Sequence, residues 1–122
     1  MNELAEFKEY MKKRTKKFSH DCVKLALSFP SNMLGKHVQN QLIRSSTSVA
    51  ANYRASCVAQ TIPTVIAKMS ISIEEADESE FWLEFSKDEK LSEEKETQLL
   101  MNEAHEIASI LIKSRLTLQK KL

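Results

Sequence analysis

The sequence predicts an all-α protein, an antiparallel up-down-up-down four-helix bundle, and three observations carry that reading. Glycine occurs once, as Gly35, and proline twice, as Pro30 and Pro63, in a chain of 122 residues, so the chain has few places to turn. Leu, Ala, Glu, Lys, Ser, Met and Gln are plentiful, a balance that favours long helices over sheets and tight hairpins. Apolar residues recur at three- and four-residue steps through segments separated by short polar connections, and short connections make successive helices antiparallel neighbours. The length suits one domain over residues 1–122 that can bury a core without metal or disulfide staples. A three-helix core with one extended arm is the structural alternative.

The first helix is expected over about 2–29. Asn2 caps it, Glu3 and Glu6 lie in its opening turns, and Leu4, Phe7, Met11, Phe18, Cys22, Leu25 and Phe29 form its stripe. Pro30 stops it, and Pro30-Ser31-Asn32 supplies turn chemistry before Gly35. The second helix, about 36–56, keeps helical spacing through Val38, Leu42, Val49 and Tyr53. It also carries Arg44-Ser45-Ser46-Thr47-Ser48 and Ala50-Ala51-Asn52 where leucines would be expected. Small side chains let neighbouring backbones come close, so this helix is packed tightly, carries a polar network, or both.

The third helix is expected over about 62–86, with Thr61 capping and Pro63 in the first turn. Ile62, Val65, Ile66, Met69, Ile73, Ala76 and Leu83 form its core stripe, while Ile71, Trp82 and Phe85, flanked by Phe81, fall on roughly the opposite side. A second apolar face on one helix argues for a partner surface. The fourth helix, about 93–120, reads with Ser92 as its cap, Glu93, Glu94 and Glu96 in its first turn, and Lys113, Arg115, Lys120 and Lys121 at its cationic end. Leu100, Ala104, Ile107, Leu111, Ser114 and Leu118 repeat at helical spacing between them.

Whole-chain charge nearly cancels, with 18 Lys and Arg against 17 Asp and Glu, and gives no prior for nucleic acid. The distribution is polarised: Lys12, Lys13, Arg14, Lys16 and Lys17 cluster near the start, and acidic residues concentrate in the second half. Cys22 and Cys57 stand far apart in no CxxC pattern, and the start of the chain is charged rather than apolar. The expected setting is reducing and cytoplasmic, with no membrane-spanning segment.

The run from Gln41 to Ala55, Gln-Leu-Ile-Arg-Ser-Ser-Thr-Ser-Val-Ala-Ala-Asn-Tyr-Arg-Ala, is followed by Ile66-Ala67-Lys68 and by Glu74-Glu75-Ala76-Asp77-Glu78 with Trp82-Leu83-Glu84. This series resembles the bacterial four-helix-bundle family named for proteins encoded in intervening sequences of 23S ribosomal RNA genes, related to the accessory variability proteins of diversity-generating retroelements. Many relatives place an acidic residue and a glycine after the helix-two asparagine, where this chain has Arg54 and Ser56. The resemblance implies a bundle that self-associates, typically into a pentamer, with a nucleic-acid-binding or accessory role and no established enzymatic activity.

Three groups of residues emerge as candidate sites. The basic face of Lys12, Lys13, Arg14, Lys16 and Lys17 could follow a phosphate backbone of RNA or DNA, gaining affinity by counterion release; the bland account is a solvated helix face. No aromatic series accompanies the lysines, so base stacking is not indicated. Gln41, Arg44, Ser48 and Asn52 stack along one edge of the second helix, level with Asp77 and Glu80 of the third. An internal pair of Arg44 with Asp77 or Glu80 that fixes helix register is the favoured reading, and a ligand-lined groove the other. Ile71, Phe81, Trp82 and Phe85 read as a subunit interface, with a small-molecule pocket as the alternative.

No catalytic constellation is evident. His20, His37 and His105 never pair at i, i+4 spacing, the cysteines add no zinc pattern, and Ser19-His20-Asp21 diverge around the helix. The Glu-x-x-His motif of di-iron bundles does not occur. The expectation is a protein that is not an enzyme and needs no metal or cofactor. Its function would be nucleic-acid binding by an oligomer, or alternatively a scaffold that docks a protein partner, such as a reverse transcriptase or a ribosome-associated factor, through the acidic third helix.

Overall fold

The structure, a computed structural model, describes residues 2–122. Four helices account for the fold: α1 (Glu3–Ala26), α2 (Met33–Val58), α3 (Ile62–Asp88) and α4 (Glu94–Gln119). Each packs antiparallel on the next, and α1 returns to α4 over a much shorter stretch. The expected all-α, up-down-up-down bundle is what forms. No helix among the described residues is long and apolar enough to cross a membrane.

Local chemistry sets the helix ends. The Asn2 side chain accepts from the Ala5 N–H at 2.7 Å, as expected of a cap. Helix α1 stops at Ala26, earlier than the sequence implied, because Ser28 N–H donates to Leu25 O at 2.9 Å and Phe29 N–H to Ala26 O at 3.1 Å. This tighter turn precedes Pro30, which disfavours helical geometry before it. Helix α2 starts at Met33 rather than 36, because the Asn32 side chain accepts from the Gly35 N–H at 2.8 Å and draws Gly35 into the first turn. A Cβ at Gly35 would lie 1.9 Å from the Pro30 carbonyl oxygen, so only glycine permits this close approach.

The α3 cap is Thr61, as expected, and its side chain accepts from Thr64 N–H at 3.2 Å. At the other end Leu91 N–H reaches Ser86 O at 2.9 Å and Lys90 N–H reaches Lys87 O at 3.1 Å. That pair of bonds is a Schellman motif, with Lys90 at φ 56° in the left-handed position usually given to glycine. The α4 cap is Glu93, not Ser92: its carboxylate accepts from Lys95 N–H at 3.3 Å and Glu96 N–H at 2.8 Å. A carboxylate satisfies orphan donors and also meets the positive end of the helix dipole. The Ser92 hydroxyl instead bonds that of Thr97 at 2.6 Å.

The core is built from Met11, Phe18 and Cys22 of α1, Val38, Leu42 and Tyr53 of α2, Met69, Ala76 and Leu83 of α3, and Ala104, Ile107 and Leu111 of α4. Between α1, α2 and α3 it is interleaved with buried serines. Ser19 donates to Ser46 O at 2.6 Å, Ser72 to Val49 O at 2.7 Å, and Ser79 to Ser45 Oγ at 3.0 Å. Small side chains bring these backbones together, and the hydroxyls find acceptors on the neighbouring helix. Among the described residues no buried side-chain nitrogen or oxygen lacks a partner. Tight packing and a polar network thus coexist on α2, as its composition anticipated.

The α1/α4 seam is built differently. Arg14 of α1 forks onto Glu103 of α4, with Nη2 to Oε1 at 2.7 Å and Nε to Oε2 at 2.9 Å, and also reaches Glu106 at 2.9 Å. On one side of this clamp an open crevice lies between Lys17, Asp21 and Lys24 of α1 and Glu96, Leu99 and Glu103 of α4. On the other, a second crevice opens at the end of the bundle.

Candidate functional site

Residues of α1 spaced three and four apart present a cationic ridge to solvent. Lys12, Lys13 and Lys16 face Ala50, Ala51 and Arg54 of α2 across an open groove of about 480 Å³. The floor is alanine because α2 carries small residues here, and that leaves room above it. Lys13, Lys16 and Arg54 are exposed and make no ion pair among the described residues. Lys12 bonds Glu9 at 2.5 Å. The hydrogen bond and charge of Lys12, with the added charge of Lys13 and Arg54, hold the Glu9 carboxyl below its ordinary range. The groove is therefore strongly cationic in spite of its one carboxylate.

The other two members of the sequence cluster turn elsewhere. Arg14 points across to α4 as the clamp on Glu103 and Glu106, and Lys17 pairs with Asp21 at 2.6 Å along its own helix. Arg54 was not among the expected binding residues. Its signal lay in the sequence all the same, as a basic residue two turns beyond the α2 serine run, on the side of α2 that faces α1.

The predicted polar edge is rearranged. Arg44 bonds Glu75 at 2.8 Å and also Glu78, not Asp77 or Glu80. It does so at the surface, where half of its side chain is exposed. Asp77 is exposed, Glu80 approaches His105 Nδ1 at 3.4 Å, and Asn52 bonds the Ser48 hydroxyl at 2.9 Å within α2. Gln41 is half-buried. The interhelical polar contacts that are buried belong to Ser19, Ser45, Ser72 and Ser79 instead. A serine hydroxyl is cheap to bury when a carbonyl lies opposite, whereas an ion pair loses its hydration there.

The aromatic group forms one cluster. Phe81 meets Trp82 edge-on at 4.9 Å, Trp82 meets Phe85 at 6.0 Å, and His37 of α2 stacks edge-on against Trp82 at 5.6 Å. The Trp82 indole N–H donates to Glu78 at 3.2 Å. Trp82 and Phe85 also pack against the core. Phe81 is the cluster's most open member, 51% exposed, whereas Ile71, 38% exposed, lies about three turns earlier on α3 and stands outside the cluster. No group of three or more His, Cys, Asp or Glu side chains suited to a metal ion occurs among the described residues.

These features define a small helical bundle with a cationic groove shared by its first two helices, in which three of the four cations have no ion-pair partner among the described residues. The family profile described as 23S rRNA-intervening sequence protein matches residues 8–113, and the chain belongs to that family. A crystal structure of a protein with unknown function from the S23 ribosomal protein family of Bacteroides thetaiotaomicron is similar to it, with a TM-score of 0.76 and 27% sequence identity. The match covers 86% of this chain and 97% of that one. No curated protein matches the chain.

Proposed function

We propose that this protein is a non-catalytic, nucleic-acid-binding accessory factor whose α1/α2 groove holds a phosphate backbone, most plainly that of a structured RNA. The observation that carries the reading is the convergence of Lys12, Lys13, Lys16 and Arg54 over an alanine floor, with three of the four cations unpaired among the described residues. Such a groove attracts polyanions by counterion release without reading bases. The family's own name refers to ribosomal RNA.

A mobility-shift titration of RNA at several salt concentrations tests it. Log affinity should fall linearly with log salt, and replacing Lys13, Lys16 and Arg54 together by Gln should flatten the slope by about 0.7–0.9 for each phosphate no longer neutralised. A triple variant with unchanged affinity and slope overturns the site.

Self-association belongs to the same reading, because repeated weak grooves on one assembly gain from effective concentration. The exposed Phe81 within an aromatic cluster, and the exposed Ile71 further back along α3, support it, and the family resemblance favours a pentamer. Sedimentation as a monomer at micromolar concentration would refute it. A protein scaffold is the second reading, favoured by Glu74, Asp77 and Glu84 standing exposed and unpaired, among the described residues, along α3. A partner retained after nuclease treatment of cell extracts would support that reading over the first.

A further inference from the structure

At the end of the bundle where α1 begins, α2 ends, α3 begins and α4 ends, the core does not close. A cavity of about 330 Å³ opens there, with Leu4 and Phe7 of α1, Val65 and Met69 of α3 and Leu118 of α4 on its walls. Tyr53 and Ser56, each only a few per cent exposed, lie deepest in it. Leu4 and Phe7 remain 59% and 36% exposed, so the apolar wall is wet. The polar lining is one-sided: Lys8 and Lys121 are cationic, Ser114 and Thr117 bear hydroxyls, and no carboxylate is among the lining residues. Neither lysine makes an ion pair among the described residues.

Wet apolar walls and two unpaired cations are complementary to one kind of molecule. We propose that this cavity binds a free single-chain amphiphile, a medium-chain carboxylic acid, with its alkyl tail against Phe7, Val65, Met69 and Leu118 and its carboxylate between Lys8 and Lys121. The volume lies at the lower end of small-molecule sites, about 300–1,000 Å³, which suits one chain and excludes a two-chain lipid. The cavity shares no residue with the α1/α2 groove, so the proposal stands or falls independently of nucleic-acid binding.

Cys57 supplies a local reporter. It lines the cavity and is half-buried, whereas Cys22, the other thiol, is fully buried. In the intact protein, titration calorimetry with saturated carboxylic acids of six to twelve carbons, about that range being chosen to stay below micelle formation, should show affinity rising about fourfold per added methylene. The rise should stop once the tail fills the cavity. Decanoic acid should slow modification of Cys57 by a chromogenic disulfide about tenfold, following the occupancy arithmetic of a tight site. The Lys8→Gln, Lys121→Gln double variant should bind the acid no better than the alcohol of equal length, bind the alcohol as the parent does, and keep its RNA affinity. The proposal is overturned if affinity is independent of chain length, if the acid binds no better than the alcohol in the parent, or if Cys57 reacts at an unchanged rate. Binding of phospholipid vesicles in place of free acid would assign the lysines to a membrane surface. Shielding of Cys57 that follows protein concentration without added acid would assign the cavity to a second copy of the chain. Either result overturns the small-ligand site.

Discussion

The α2/α3 contact and the α1/α4 seam join helices of similar length by opposite means. Between α2 and α3, Ser45, Ser72 and Ser79 take the places of large apolar residues, the backbones draw together, and the polar atoms bond across the gap at 2.7 and 3.0 Å. Between α1 and α4 there is one forked arginine and a crevice on each side of it. Contact of the first kind is continuous and depends on shape. Contact of the second kind is local and depends on charge, so the two interfaces should respond to different perturbations.

The largest effect is expected at the serine layer. Ser79→Leu places a branched side chain where two backbones nearly touch, and thermal or urea unfolding should show a loss of about 3 kcal/mol, the upper part of the overpacking range. If Ser79→Leu is neutral, the layer has slack and the close-packing account fails.

Arg14→Met should cost about 1.5 kcal/mol, the lower edge for charge-assisted bonds, because Glu103 and Glu106 retain access to water. Amide exchange should quicken in α1 and the facing part of α4 while α2 and α3 keep their protection. Uniform loss of protection would show that the seam is not a separate unit.

Alkaline pH acts on the buried core, at Cys22 of α1 and Tyr53 of α2. Burial raises the Cys22 thiol well above its ordinary value of 9.0, and burial, with Cys57 beside it, raises the Tyr53 phenol above 10.0. In both groups the neutral form is favoured by folding. Their contribution is therefore fully present below pH 9 and is lost as pH rises, with the unfolded chain ionising first. Each group contributes a slope approaching 1.4 kcal/mol per pH unit above its unfolded value. Unfolding free energies from pH 8 to about 11 should show the fall, and Cys22→Ala should remove the part that begins near pH 9.

The smallest effect is expected at Arg44. It is half exposed, and its pairing with Glu75 and Glu78 is a surface ion pair, so Arg44→Met should change stability by less than about 1 kcal/mol. A larger loss would restore the register-fixing role that the sequence assigned to it.

The same residue shows what could be read beforehand and what could not. An antiparallel hairpin with its turn near 58–60 puts Arg44 level with residues 75–80 of α3, and that level is right. The rotation of α3 was the missing quantity. With Ile71, Trp82 and Phe85 on one side and Ile73, Ala76 and Leu83 on the other, its apolar pattern scarcely distinguishes inside from outside. Helix order, caps at Asn2 and Thr61, and the tight composition of α2 were legible because each depends on local chemistry. The start of α2 was not, since Gly35 reads as a breaker until the Pro30 carbonyl is seen against it. Arg54 joined the basic groove through the packing of α2 on α1, a contact that spacing within a single helix does not reveal.

Helix α1 is flanked on one side by a full interface and on the other by a single clamp. It is thus the element with the least to lose by departing, and it carries most of the cationic groove. A polyanion laid across Lys16 and Arg54 would bridge α1 to α2 and add its binding free energy to the cohesion of the helix that most lacks it. Occupancy and closure would then be one equilibrium, and the protein would be a tighter bundle on its cargo than off it.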